Sequence, residues 1–138
     1  MLNIDTLLSP IKGAEHREVG GVYLDVVRAG AARVKRVVYP PGFHWSKDLK
    51  NIIGTPLCMH AHVGFLANWQ LKIQYRDGFT ENFTAPQVVI IEPGHDGWVI
   101  GEEPAVLIEF DFEGDTVQIL GIPEVHNGSG QIQEGPGI

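Results

Sequence analysis

What most limits the folds open to this chain is its punctuation. Short apolar runs arrive at close intervals, and glycine or proline closes each one. With 17 glycines and 9 prolines among 138 residues, nothing after the first ten positions reads as a long helix. Inside the runs the period is two. Val22, Leu24 and Val26 alternate with Tyr23, Asp25 and Val27; Trp69, Leu71, Ile73 and Tyr75 alternate with Gln70, Lys72, Gln74 and Arg76. Val106, Ile108, Phe110 and Phe112 alternate with Leu107, Glu109 and Asp111. Such alternation marks strands with two unlike faces. The RVKRVVY run from Arg33 stops at Pro40-Pro41-Gly42, because proline has no N–H to give a sheet ladder. Asp77-Gly78 is a turn signal that folds FTENF, residues 79 to 83, back as a hairpin. The run in APQVVIIEPG ends at Pro93-Gly94. Many short strands joined by Gly/Pro turns predict an all-β sandwich or barrel.

The chain is long enough for one domain with a core of its own. We expect an N-terminal arm over residues 1–19, a barrel over 20–120 and a Gly/Pro-rich tail over 121–138. In the arm, residues 3 to 9 predict a short helix capped by Asn3 or Asp5 and ended by Pro10. The tail reads as poorly packed, or as a strand-like arm used by a second subunit. A net charge of −7 argues against nucleic acid and anionic membranes as partners, since both reward clustered Lys and Arg. One cysteine excludes an intrachain disulfide framework. The opening residues lack the basic and apolar regions of a signal peptide, and no apolar run reaches membrane-spanning length. A cytoplasmic location is the expectation.

Chemistry concentrates in PLCMHAHVGFLANWQLKIQYRDG, residues 56 to 78. Cys58, His60 and His62 recur every second residue, so an extended chain presents a thiol and two imidazoles on one face. That is one wall of a metal pocket. Imidazole suits Zn, Cu, Fe and Ni, and thiolate favours Zn or Cu(I). Against this stands the plainer reading of Cys58 as a small buried hydrophobe. His95-Asp96 follows a Pro-Gly turn, from which a loop offers side chains to a cavity. Asp96 is a candidate to orient His95 or to act with His62 in catalysis. Trp45 and Trp98 are candidate pocket walls, and Lys50, beside Lys47 and Asp48, is a candidate for a substrate carboxylate. Trp69 keeps phase with Leu71 and Ile73 and reads as core.

PQVVIIEPGH, Pro86 to His95, resembles the second motif of the cupin superfamily, with Pro93-Gly94 as its turn and His95 at the family's last histidine ligand. The stretch from Cys58, with GFLANWQLKI after it, resembles the first motif. More narrowly, Trp45-Ser46, Gly54-Thr55, Cys58 to Phe65, Asp77-Gly78 and GHDGWVIGEEP from Gly94 resemble a group of small bacterial cupins that read GHDAW at the last of these. The resemblance spans roughly residues 20 to 115. It implies a double-stranded β-helix, or jelly roll, and a homodimer. It also implies a divalent transition metal (Zn, Fe, Ni, Cu or Mn) acting on a small organic molecule, with His60, His62, His95 and Cys58 as candidate ligands. Two registers are open. Counting back from Phe65 puts His62 at the family's glutamate and Cys58 near its second histidine. Alternatively His60-Ala61-His62 is the family's His-x-His pair and the glutamate is missing, since Leu66 and Ala67 stand at that distance. Glu81 or Asp96 then becomes the candidate oxygen donor. Asn68 and Trp69 stand where the family turns on glycine. The reactions open to such a barrel include oxygenase, isomerase and lyase chemistry. Non-catalytic small-molecule sensing and a metal-free enzyme using His62 as base are the alternatives.

Overall fold

In the computed structural model, residues 4–112 are described; the Gly/Pro-rich tail lies outside them. No helix among the described residues is long and apolar enough to cross a membrane. Among the described residues helix α1 (Ile4–Leu8) comes first, and nine strands follow in sequence: β1 (Glu15–Val19), β2 (Val22–Ala29), β3 (Ala32–Tyr39), β4 (His62–Asn68), β5 (Gln70–Tyr75), β6 (Thr80–Thr84), β7 (Gln87–Ile91), β8 (His95–Trp98) and β9 (Ala105–Phe112). Two single-turn helices, α2 (Trp45–Asp48) and α3 (Lys50–Ile53), interrupt them after β3. All pairings are antiparallel. Six strands form one sheet in the order β1-β2-β3-β9-β4-β7 and three form another in the order β6-β5-β8. The crossing of β9 between β3 and β4 makes this a jelly roll rather than a meander.

The core lies between the two sheets. Val22, Leu24, Val37, Leu66, Val89 and Leu107 from the large sheet meet Leu71, Ile73 and Phe83 from the small one. The β5–β6 hairpin turns at Asp77-Gly78, with Gln74 opposite Thr80 and the Asp77 carboxylate accepting the Phe79 N–H. At the β4–β5 corner Trp69 takes a left-handed backbone, φ 69°. Glycine would do so without cost; here the indole Nε1–H donates to the Ile100 carbonyl at 2.7 Å, and Trp69 packs against the core. Gly64 is required for a different reason. A Cβ there would lie 2.0 Å from the Ile108 carbonyl oxygen, so only a bare backbone lets β9 run this close to β4.

Two strands carry their faces the opposite way from what hydrophobicity suggests. In β9, Leu107, Glu109 and Asp111 are buried inside, while Phe110 is 48% exposed on the outside. In β3, Lys35 is wholly buried and Val34 is 40% exposed. Register brings the two anomalies together: Lys35 lies opposite Glu109 and Arg33 opposite Asp111, and both cations bond the Asp111 carboxylate while Glu109 turns to His62.

Candidate metal centre

His62 opens β4 and His95 opens β8, and the segment before β4 runs beside the start of β8 through an isolated bridge between Cys58 and His95. The Cys58 N–H donates to the His95 carbonyl at 2.8 Å, and the Cys58 carbonyl accepts the N–H groups of Gly94 and His95. This backbone clasp brings residues 58, 62 and 95 together although 33 positions separate the last two. The ring centroids of His62 and His95 are 5.2 Å apart, and those of His60 and His62 5.0 Å. Cys58 Sγ lies 3.7 Å from His62 Nε2. All four side chains are buried.

Each of the two central imidazoles has its other nitrogen held. His95 Nδ1–H donates to the Glu92 carbonyl at 2.6 Å. His62 Nδ1 bonds the Glu109 carboxylate, a wholly buried pair. An imidazole fixed through Nδ1 presents Nε2 as its ligand atom, the arrangement that second-shell partners produce at metal sites. Ligand atoms of Cys58, His62 and His95 all lie within 4.8 Å of one another, and so do those of His60, His62 and Glu109. The second Glu109 oxygen, Oε2, is buried and has no hydrogen-bond partner. A buried carboxylate oxygen left so is costly unless a further polar partner meets it.

His60 faces a different neighbourhood. Its Nε2 lies 3.4 Å from Lys35 Nζ and 3.5 Å from the Asp111 carboxylate. Asp111 accepts a forked pair of bonds from Arg33, both at 2.8 Å, and a third at 2.8 Å from Lys35. Burial and the positive charges of Lys35, His62, Arg33 and His95 push the His60 ring well below the ordinary imidazole range, so it stays neutral and accepts from the ammonium. Burial alone would lift the Cys58 thiol, but His95 and His62 outweigh it and bring the thiol down to about 6. Burial likewise disfavours the charged His62 ring, and Glu109 with Cys58 overrides it, raising the ring to about 10.

Beside His62 and His95 lies a cavity of about 30 Å³, walled by Tyr39, Phe43, Trp45, Leu71, Ile73, Ile91, Gly97 and Leu107. That is room for one or two water molecules. Trp45, 3% exposed at the start of α2, is part of its lining.

Several expected site residues stand elsewhere. Strand alternation in β8 points His95 and Gly97 inward and turns Asp96 and Trp98 away. Asp96 therefore does not orient His95. Its carboxylate bonds His44 Nε2 at 2.9 Å and the Ser46 N–H at 3.0 Å, tying α2 to β8 from outside. Ser46 Oγ reaches the same His44 nitrogen at 3.1 Å, so these three groups do not form a relay through the ring. Trp98 lies tilted against the His44 ring, centroids 5.0 Å apart, with Lys72 over its face, and Lys50 is exposed on α3. Glu81 borders an outer groove with Tyr75 and Glu92 rather than the barrel interior. The interior carboxylates are Glu109 and Asp111, and with Lys35 they are the groups that sequence reasoning missed. The available signal was a charge in strand phase with Leu107 on one side and Val37 on the other.

No protein-family profile matches the sequence, and no curated protein matches it significantly. Solved structures do. A cupin 2 conserved barrel domain protein from Salinispora arenicola aligns over 82% of this chain and 93% of its own, with TM-score 0.54 and 14% identity. An RmlC-like cupin from Shewanella frigidimarina aligns over 77% and 89%, with TM-score 0.50 and 15% identity. The chain has the cupin fold. A third cupin-fold neighbour, the hydroxypropylphosphonic acid epoxidase from S. wedmorenis, matches 73% of this chain and 56% of its own with TM-score 0.51 and 10% identity. At these identities the likeness speaks for the fold and for no activity.

Proposed function

We propose that this cupin-fold chain binds one divalent transition metal through Cys58, His62 and His95 and uses it on a small organic molecule. The observation that carries the reading is the orientation of the two imidazoles: both Nδ1 atoms are held, by Glu109 and by the Glu92 carbonyl, and His62 Nε2 faces the thiol. One thiolate and two imidazoles suit zinc or copper better than manganese or magnesium. His60 is left out of this ligand set because its Nε2 faces the Lys35 ammonium, and a second cation beside it would be repelled. When bound, the metal supplies a Lewis acid for a carbonyl group or a water molecule.

The protein's own groups do the rest. Glu109 fixes the His62 ring through Nδ1 and would offset the positive charge a bound metal brings. Tyr39 lines the cavity with a hydroxyl that burial and the negative charges of Glu109 and Cys58 keep protonated, so it donates to a bound oxygen. Trp45 and Phe43 exclude bulk water. We place the protein in the cytoplasm, where a lone reduced thiol persists, and in a homodimer.

Metal analysis of untagged protein tests this, together with the near-ultraviolet sulfur-to-metal absorption of the cobalt-substituted form. About one equivalent of metal and a band lost in Cys58→Ala are expected. Less than about a tenth of an equivalent after reconstitution overturns the reading.

One observation favours a second reading. Cys58, His62 and Glu109 stand in the order nucleophile, Nε2, Nδ1, carboxylate, the sequence of contacts that activates a thiol without metal. Rapid alkylation of Cys58 in chelator-treated protein, unaffected by added metal, would select it.

A further inference from the structure

Outside the barrel, the N-terminal arm leaves an opening against the large sheet. Between the arm and strands β1 to β3 runs a groove of about 650 Å³, ample for a small organic molecule. It faces away from the candidate metal centre, because alternation in β3 turns Lys35 and Val37 into the barrel and Arg36 and Val38 to the groove. Register assembles its floor: Tyr23 lies opposite Val38, Asp25 opposite Arg36, and His16 on β1 opposite Asp25. The walls are mostly apolar. Tyr23 is 53% exposed, and Pro10, Pro40, Pro41 and Pro104 border the groove. Proline has a fixed φ and no N–H, so these borders are set before a guest arrives and give it no donor.

The polar floor is one cluster around Asp25. One oxygen of that carboxylate meets His16 Nδ1, and the other accepts from Arg36 Nη2 and the Ile11 N–H, each at 2.8 Å. Arg36 Nη1 donates to the Leu7 and Ser9 carbonyls. The Arg36 Nε–H, by contrast, is buried and has no partner among the described residues, on a side chain only 6% exposed. A buried donor in that state costs free energy until an acceptor reaches it. His16 lines the same groove with its ring about half exposed, and its Nε2 has no partner among the described residues. Once that ring is protonated, two cations share one carboxylate, and the cluster balances with one more negative charge.

We propose that this groove is a second binding site, for a carboxylic acid with an apolar body. The guest's carboxylate meets the Arg36 Nε–H and His16 Nε2, and its body lies over Tyr23 and Val38 between the prolines. A charge-assisted bond to the guanidinium selects the head group, and the walls select the tail. The site is independent of the metal.

Isothermal titration calorimetry of the full chain tests this with decanoate as the probe. Decanoate is expected to bind with Kd below about 1 mM, and acetate and decyltrimethylammonium at least about 10-fold more weakly, since one lacks the body and the other reverses the head-group charge. His16→Ala should weaken decanoate about 10-fold, with unchanged far-ultraviolet circular dichroism as the folding control. Proton–nitrogen correlation spectra of the wild type need no variant: the Arg36 Nε–H signal should shift as decanoate is added. Decanoate that binds His16→Ala equally well and leaves the Arg36 signal in place sits elsewhere and overturns the proposal. Decyltrimethylammonium binding as tightly as decanoate overturns the choice of an acid. A full chain that takes up no decanoate overturns the site, including the case in which residues 113–138 or a second copy fills the groove.

Discussion

Glu109 shows how much rests on one side chain. It is wholly buried, holds His62 in the ring orientation that turns Nε2 toward Cys58, and keeps an unpaired oxygen in reserve. Glu109→Gln retains shape and removes the charge. Metal affinity is expected to fall about 10- to 100-fold, read by competition with a chromophoric chelator, because second-shell carboxylates tune ligand basicity to that extent. His60→Ala, by contrast, should change affinity less than about threefold if Lys35 occupies its lone pair as the geometry indicates. The sequence made Cys58, His60, His62 and His95 visible as candidates because imidazoles and a thiol at alternate positions have few structural reasons to be there. It did not separate His60 from the others, since strand period two places both histidines on one face and only the position of Lys35 distinguishes them.

Among the elements, β3 and β9 are where reading the chain stopped short. Alternation identified both as strands, yet which face is inside depends on what the interior contains. A binary pattern assigns the apolar side to the core. Here the interior at this end of the barrel is ionic, so Glu109, Asp111 and Lys35 go in and Phe110 and Val34 go out. Conflict between local pattern and global placement is expected where function is built. The β4–β9 contact offers a sharp test. Gly64→Ala pushes a methyl group into the Ile108 carbonyl, and a loss of about 3 kcal/mol in denaturant stability is expected, with β9 forced away from the site. The N-terminal arm offers another. Arg36 Nη1 donates to the carbonyls of Leu7 and Ser9, and Asp25 accepts from Arg36, His16 and the Ile11 N–H, so one buried ion pair pins the arm to β2 and β3. Burial raises the Asp25 carboxyl, but His16, Ile11 and Arg36 prevail and hold it below its ordinary 3.8. The carboxylate therefore stabilises fully above that ordinary value, and its contribution drains away as pH falls through the depressed folded value. Asp25→Asn should cost about 3 kcal/mol at neutral pH, and the gap to wild type should narrow below about pH 4 in urea titrations.

For the whole molecule, metal and stability are linked. Any ion that binds the folded chain alone raises its melting temperature, by about 4 kcal/mol at a thousandfold excess over Kd, or roughly 10–20 °C for a domain of this size. Calorimetry with and without chelator should show that shift in wild type and lose most of it in Cys58→Ala. The architecture itself was legible in advance, because Gly/Pro punctuation and period-two runs leave few options besides a sandwich or barrel, and solved cupins share the resulting fold. The topology that interposes β9 between β3 and β4 was not, since it joins strands 70 residues apart.

The cavity under Trp45 has a consequence for timing. The cavity beside His62 and His95 holds about 30 Å³, and Phe43 and Trp45 form part of its wall. Phe43 and Trp45 belong to the short segment that Asp96 ties to β8 through His44 and Ser46. Loosening that tie in Asp96→Ala is expected to quicken metal uptake and release together, read by stopped-flow exchange with a chromophoric chelator, while the equilibrium affinity changes less than either rate.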